Sequence, residues 1–308
     1  MQRRSRQGGY ATPSVAVVCV LHGGFGLPGW LRQTGDRWPL DVTVNDPGDH
    51  RYGDLPPTAT VTRNRAVQGF ATNVNSALRR RFAEAGEDIA CVVNFDVEGS
   101  TKQLSTLVKT LIAVPDLAAV GAMLRSSDGN TTFSVGVVPT PGREFVRASG
   151  LRTSSVRGLE RALLRRTDRW ASRNQAPAST HRVLSDGEYL PWTCLAVRAD
   201  AWRQVGDLDE RFPLYAEDID WSRRCHAAGW KLAIRDCGPV VHEERATRGA
   251  RADALYEYSH LELHRKWGWD RNLRWQRRGL RLHRLPPLSW LAPPLDWSLL
   301  TNLGGAGR

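Results

Sequence analysis

Short β-branched apolar runs, each closed by polar or turn-forming residues and separated by stretches of helical spacing, constrain this chain more than any other feature. Ser14 to Leu21 reads as a buried first strand giving way to His22-Gly23-Gly24, and Leu40 to Val44 as a second, closed by Asn45-Asp46-Pro47-Gly48. Ala59 to Thr62 fits a short third strand. From Gly69 to Phe82, the residues Phe70, Val74, Ala77, Leu78 and Phe82 recur at helical spacing. Ile89 to Val93 follows as a buried strand. Leu104, Leu107, Val108 and Leu111 form a helical stripe that stops near Pro115, and Ala118 to Ala122 reads as another short strand. Strand and helix alternating in this way specify an α/β fold with a mostly parallel sheet flanked by helices. Ligands of open α/β sheets bind beyond the carboxyl ends of the strands, where Asn94-Phe95-Asp96 stands.

The second half is less regular. Arg143 to Arg173 holds nine arginines against Glu144, Glu160 and Asp168, with a helix expected around Val156 to Trp170. It makes a poor core and reads as a surface excursion over the acceptor side. Tyr189 to Val197 reads as a strand and Asp200 to Val205 as a short helix. Pro239-Val240-Val241 ends a strand at His242, and a helix spans Ala252 to Trp267. The expected division is a basic tail over 1–12, one α/β domain over 13–245, and a helical, basic, Trp-rich extension over 246–308.

The net charge of +11 favours anionic partners: nucleotide phosphates, an anionic membrane surface or nucleic acid. From Arg265 onward nine Lys/Arg stand against two Asp, so this extension supplies +7 of the +11, together with five of the twelve Trp. Cations mixed with Trp and Leu suit a bilayer interface, and equally a basic helix folded back with its Trp buried. The five cysteines are scattered without C-x-x-C spacing and read as buried thiols in a reducing cytoplasm. No apolar run has the length of a signal peptide core or a membrane span, so any membrane contact is expected to be peripheral.

Chemistry concentrates in three places. Asp96 at a strand end either caps the next helix or holds a hard divalent ion. Glu217-Asp218-Ile219-Asp220 opens a helix behind the aromatic turn Phe212-Pro213-Leu214-Tyr215. Carboxylates suit a helix start, and Asp220 with Arg224 is a good i,i+4 pair, while a carboxylate at a partly desolvated turn can serve as a base. Arg224 can instead meet a phosphate, and His242 is either structural or a ligand.

The order Asn94-Phe95-Asp96, Asp128-Gly129, Trp192-Thr193, Gly206-x-x-Asp209-Glu210-x-Phe212, Glu217-Asp218-x-Asp220, Arg224, Gly229 and Val241-His242 resembles the bacterial rhamnosyltransferase-like branch of the inverting family 2 glycosyltransferases. The resemblance runs from about Val15 to His242 and is most specific from Gly206 onward. It implies a GT-A fold and a single in-line displacement with inversion. By this resemblance Asp218 is the catalytic base, and Asp96 and His242 hold Mg2+ or Mn2+ on the diphosphate. Asp46, Gly69, Asn75 and Asn94 serve the nucleotide, and Glu217, Trp192 and Arg224 serve the acceptor or substrate. The implied partners are a nucleotide-sugar donor, dTDP-rhamnose first and a UDP-sugar second, and a glycan or lipid-linked saccharide acceptor, with no nucleic acid. The implied place is the cytoplasm, at the inner face of the membrane. Relatives end the first strand in a Thr-Tyr-Asn type turn, where this chain has Leu21-His22-Gly23, and Asn45-Asp46-Pro47-Gly48 replaces their Asp-Asn turn. These departures keep a non-catalytic sugar-nucleotide-binding member open beside the enzyme, as the Arg/Trp-rich extension does for a nucleic-acid or anionic-surface binding protein.

Overall fold

The apolar run Val15–Leu21 forms β1, buried at every residue. A strand covered on both faces needs apolar side chains at each position rather than at alternate ones. Val15, Val17, Cys19 and Leu21 enter one core, and Val18 and Val20 the other. A computed structural model describes the chain over residues 12–46, 55–127, 129, 132–150, 181–243, 249–285 and 294–302. β2 (Leu40–Val44), β3 (Thr60–Arg63) and β4 (Ile89–Asn94) join in parallel in the order β3-β2-β1-β4. β6 (Leu117–Arg125) and β11 (Lys231–His242) are parallel to each other, and β10 (Cys194–Arg198) is inserted antiparallel between β4 and β6. The central sheet is therefore mostly parallel. β5 (Val97–Glu98) and β8 (His181–Val183) pair antiparallel with β11. β7 (Gly136–Val137) and β9 (Glu188–Tyr189) form a separate two-stranded ribbon.

Helices cover both faces. Leu31 of α1 (Gly29–Thr34) and the stripe Leu104, Leu107, Val108 and Leu111 of α3 (Thr101–Ala113) close the first core. Residues of α2 (Phe70–Arg79), α5 (Ala199–Val205) and α6 (Glu217–Ala227) close the second. At Arg80–Glu84, α2 widens into a π-helical turn, where Arg80 and Arg81 both reach the fully buried Asp41 of β2. A third, smaller core joins α4 (Pro141–Ala148), α7 (Ala250–Lys266), α8 (Asp270–His283) and α9 (Trp297–Asn302).

Two expectations are corrected. The strand expected over Tyr189 to Val197 is split, because Pro191 has no N–H for a ladder and a turn through Trp192-Thr193 separates β9 from β10. The excursion from Arg143 is not wholly surface: its first residues belong to α4, where Glu144 is buried and the Arg147 side chain nearly so. Paired charges can be buried where isolated ones cannot. The helix expected over Val156 to Trp170, Asp128 and the tail over 1–11 lie outside the described residues. Cys19, Cys91, Cys194 and Cys225 are buried free thiols, and Cys237 is half-buried. Among the described residues no helix is long and apolar enough to cross a membrane.

The basic extension folds back on the domain through α8, though its Trp275 is exposed. α8 packs on α4 so closely that a Cβ at Gly279 would stand 2.7 Å from the Phe145 carbonyl oxygen. Its outward face exposes Arg271, Arg274, Trp275, Arg278 and Arg281.

Candidate active site

Parallel strands ending together place His22, Asp46, Asn94 and His242 along one edge of the sheet. The short β5 turns back against the end of β11 with Val97 opposite His242, and this register brings Asp96 Oδ2 to 3.4 Å from His242 Nε2. The Glu243 amide donates to the Asp96 carbonyl oxygen at 3.0 Å, fixing the loop. A largely buried carboxylate beside an imidazole offers oxygen and nitrogen ligands to a divalent ion. Asn94 is half-buried, and its backbone N–H donates to the Thr193 carbonyl oxygen at 2.9 Å.

The acid-rich segment is sorted by its partners. Asp207 pairs with Arg79, and Glu210 accepts from Asn75 at 2.8 Å and from Thr72 at 3.1 Å. Asp209 pairs with Arg211 and Lys266, which, against the cost of burial, hold its carboxyl below the usual range. Asp220 meets Arg224 at 2.8 Å, Lys266 at 2.6 Å and the Trp267 indole N–H at 3.1 Å. Glu217 and Asp218 form no ion pair among the described residues, though they share the same helix start.

That helix start is held by strain. Tyr215 and Ala216 both have positive φ, 64° and 69°, a conformation that costs non-glycine residues of order 1–3 kcal/mol each. α6 then leads to β11, which begins at the opposite edge of the sheet, so the beginning of α6 lies toward the edge that carries Asp96 and His242. Asp218 lines a cavity of about 450 Å3 with Tyr189, Tyr215, Tyr256, Arg143 and His260 among its walls. The Tyr189 ring lies across Gly136, where no side chain would fit. Burial pushes the Asp218 carboxyl up to about 7, against a hydrogen bond from the Ile219 amide at 2.8 Å. Burial, then the charge of Asp218, raises Glu217 well above the carboxylate range, and its Oε2 has no hydrogen-bond partner among the described residues. A carboxyl that titrates near neutrality in an aromatic cavity can take a proton from a sugar hydroxyl.

Several residues expected at the site are placed elsewhere. Arg224 is spent on Asp220 and on the carbonyl oxygens of Val205 and Asp207, at 2.6 and 2.7 Å, so its guanidinium braces the turn instead of facing a substrate. Trp192 is buried against Trp221 and Trp202, at ring distances of 5.1 and 5.8 Å, and cannot stack on a sugar there. Asn75 is fully buried and exchanges two hydrogen bonds, both 2.9 Å, with the Leu208 backbone. Gly69 lies where a Cβ would stand 2.9 Å from the Pro213 carbonyl oxygen. Gly69 and Asn75 thus tie α2 to the acid-rich segment. Asp46 stands two residues past β2, beside Asn45, whose side chain clamps Gln68 and Asn64.

Sequence reasoning missed a polar cluster in the cavity wall. Glu144 Oε2 lies 3.1 Å from His264 Nε2, and Glu144 Oε1 lies 3.4 Å from His260 Nδ1. Arg147 joins Glu144 to Glu257, and its guanidinium covers the Tyr256 ring. Burial opposes the ionised carboxylate, yet Arg147 and then His260 hold Glu144 well below the usual range. Burial lowers His260 to about 4. The signal available in the sequence was His260 and His264 at i,i+4.

No family model matches the chain. It is 29% identical over 275 residues, covering 80% of this chain and 83% of the relative, to an N-acetylglucosaminyl-diphospho-decaprenol L-rhamnosyltransferase of Mycobacterium tuberculosis strain CDC 1551. The protein of the same name from strain H37Rv gives the same figures. Among solved structures it is similar to GalNAc-T7 with UDP, GalNAc and Mn2+, with a TM-score of 0.56 and 12% identity. That likeness covers 96% of this chain, which spans about half, 54%, of the solved one. The fold is GT-A, and the likenesses agree with the rhamnosyltransferase-like branch of family 2 that the sequence resembles.

Proposed function

We propose that this chain, a glycosyltransferase of the GT-A fold, moves a sugar with inversion from a nucleotide-diphosphate donor to a hydroxyl of a lipid-linked saccharide. dTDP-L-rhamnose is the first donor to test and a UDP-sugar the second. The relatives' names give the sugar and a diphospho-decaprenol acceptor, and cell-envelope glycan synthesis is the setting that follows. One observation carries the reading: in a segment where Asp207, Asp209, Glu210 and Asp220 are engaged by Arg, Lys or Asn, Asp218 faces an aromatic cavity with its carboxyl pushed up by burial.

In the proposed reaction Asp218 takes the proton of the acceptor hydroxyl as that oxygen bonds to the anomeric carbon. The bond to the diphosphate oxygen breaks on the opposite face, and the nucleoside diphosphate leaves with the electron pair. A positioned base contributes about 10²–10⁴-fold. Tyr189, Tyr215 and Tyr256 present ring surface to the acceptor sugar, and Glu217, buried at the same helix start with its own carboxyl raised by burial, is the residue proposed to shape the acceptor site. Asp96 and His242 would hold the Mg2+ or Mn2+, which when bound neutralises charge on the departing diphosphate. Asp46 and Asn94, at the same sheet edge, are the residues proposed to meet the nucleotide.

The outward face of α8 would bring the enzyme to its lipid-linked acceptor at the inner face of the membrane. No carboxylate interrupts residues 271–285. The test of the reaction is release of nucleoside diphosphate from a panel of nucleotide sugars, with and without chelator, with the product anomer read by NMR. Asp218→Asn should abolish transfer while calorimetry still shows donor binding. Unchanged turnover in that variant removes Asp218 as the base.

A further inference from the structure

Glu144, His260 and His264 bring ligand-type atoms from two helices to within 4.8 Å of one another in the protein interior. His260 and His264 stand at i,i+4 on α7, the spacing that places two imidazoles on one helix face toward a shared ion. Glu144 arrives from the first turn of α4. Ligands about 2.0–2.1 Å from a tetrahedral zinc lie roughly 3.3 Å from one another. The Glu144 carboxylate oxygens lie 3.1 Å from His264 Nε2 and 3.4 Å from His260 Nδ1, close to that separation.

A second observation points to an ion. Among the described residues His260 Nδ1 makes no hydrogen bond although its side chain is only 3% exposed, and it lies 3.4 Å from Glu144 Oε1. Arg147 does not neutralise Glu144 alone, because it is shared with Glu257. Glu144 and His260 also form part of the cavity wall, which gives an ion a way in and leaves room for a fourth, oxygen ligand.

We propose that Glu144, His260 and His264 form a binding site for a divalent transition-metal ion of the zinc class, separate from the Asp96–His242 pair. Two imidazoles and one carboxylate suit zinc better than Mg2+, which prefers an all-oxygen octahedron. Arg147, paired with Glu144 Oε2, orients the carboxylate. The site stands whether or not the proposed transfer reaction is correct.

The test uses the full chain, stripped with chelator, then titrated with Zn2+ against a chromophoric competitor. One tight equivalent is expected, weakened at least 100-fold in Glu144→Gln and in His264→Gln and retained in Asp96→Asn. Co2+ in place of Zn2+ should give the visible absorption of a tetrahedral site. Zn2+ should raise the melting temperature of the wild-type protein, which keeps the proposal testable if the variants fold poorly. Wild-type protein that holds no competitor-resistant zinc overturns the site and leaves Arg147, Glu144 and the histidines as an ion-pair network. So does an equivalent lost in Asp96→Asn but kept in Glu144→Gln.

Discussion

Lys266 Nζ lies 2.6 Å from Asp220 Oδ1 and 2.7 Å from Asp209 Oδ2. Lys266 is the last residue of α7, and Asp220 belongs to the same helix start as Asp218. The C-terminal helices are thereby fastened to the segment that presents the proposed base. Trp267 adds a hydrogen bond to Asp220, and the Arg223 guanidinium covers the Trp267 and Trp269 rings.

Lys266→Met should therefore act on stability and on catalysis together. Asp220 is fully buried and would keep Arg224 while losing its second cation. Removing one partner of a buried ion pair costs about 3–5 kcal/mol; with Arg224 still in place, a loss of about 2 kcal/mol is expected. The urea midpoint measures it. The turnover number of the protein that remains folded should also fall, because α6 loses an anchor two residues from Asp218.

The titration of Asp218 gives two pH dependences of opposite sense. As a base it must be ionised, so kcat/KM should rise with pH through about 7 and then level off. Stability runs the other way. Burial raises the folded-state pKa above the unfolded value near 3.8, so the folded protein binds a proton that the unfolded chain has released. That contribution is fully present below about pH 4 and is lost as pH rises through about 7. Asp218→Asn should thus be more stable than the wild type at pH 8, by about 2 kcal/mol once residual contact with water is allowed for, and should show little advantage at pH 4. Thermal melts across this range check both ends.

What the sequence disclosed and what it concealed divide along physical lines. β1 and β4 were legible because strands buried on both faces are apolar almost throughout, β2 because Leu40, Val42 and Val44 alternate along it, and α3 because its stripe repeats at helical spacing. The approach of Asp96 to His242 was legible as an order of elements. The roles of Asn75, Gly69, Trp192 and Arg224 were not, because a residue that braces a turn and one that meets a ligand look alike until their neighbours are known. Asn75 spends its amide on the Leu208 backbone, more than a hundred positions away in sequence. α4 was hidden for the same reason: its buried charges are balanced by Glu257, His260 and His264 from α7.

Gly279 should be intolerant of any side chain. The Cβ of alanine would lie 2.7 Å from the Phe145 carbonyl oxygen, 2.9 Å from Ala148 Cβ and 3.0 Å from the Ser149 amide nitrogen, so α8 would have to move away from α4. Alanine ordinarily stabilises a helix relative to glycine by about 1 kcal/mol. Here the crowding should outweigh that gain, giving a net loss of about 1–3 kcal/mol, with valine worse than alanine. Thermal melts of the two variants measure the effect. Because α4 carries Glu144 and α8 rests on it, either variant should also weaken zinc binding at Glu144, His260 and His264.

The outer face of α8 predicts where the protein meets lipid. Arg271, Arg274, Arg278 and Arg281 are exposed, and Trp275, 38% exposed, lies among them with the Arg278 guanidinium over its ring. Each basic residue near an anionic bilayer is worth about 1 kcal/mol, and Trp favours the headgroup level. These arginines are exposed and form no ion pair among the described residues, so replacing them should leave the core contact of α8 with α4 through Gly279 in place. Arg274→Glu with Arg278→Glu and Arg281→Glu should retain the melting temperature and lower partition onto vesicles rich in phosphatidylglycerol by at least ~100-fold, as followed by co-sedimentation. Binding of the wild type should weaken as salt is raised and be negligible on phosphatidylcholine alone. Transfer to a short, water-soluble acceptor should be unaffected in this variant, while transfer to a lipid-linked acceptor in anionic vesicles should fall with the loss of binding. Equal loss on both acceptors would place these arginines in substrate recognition instead of membrane docking.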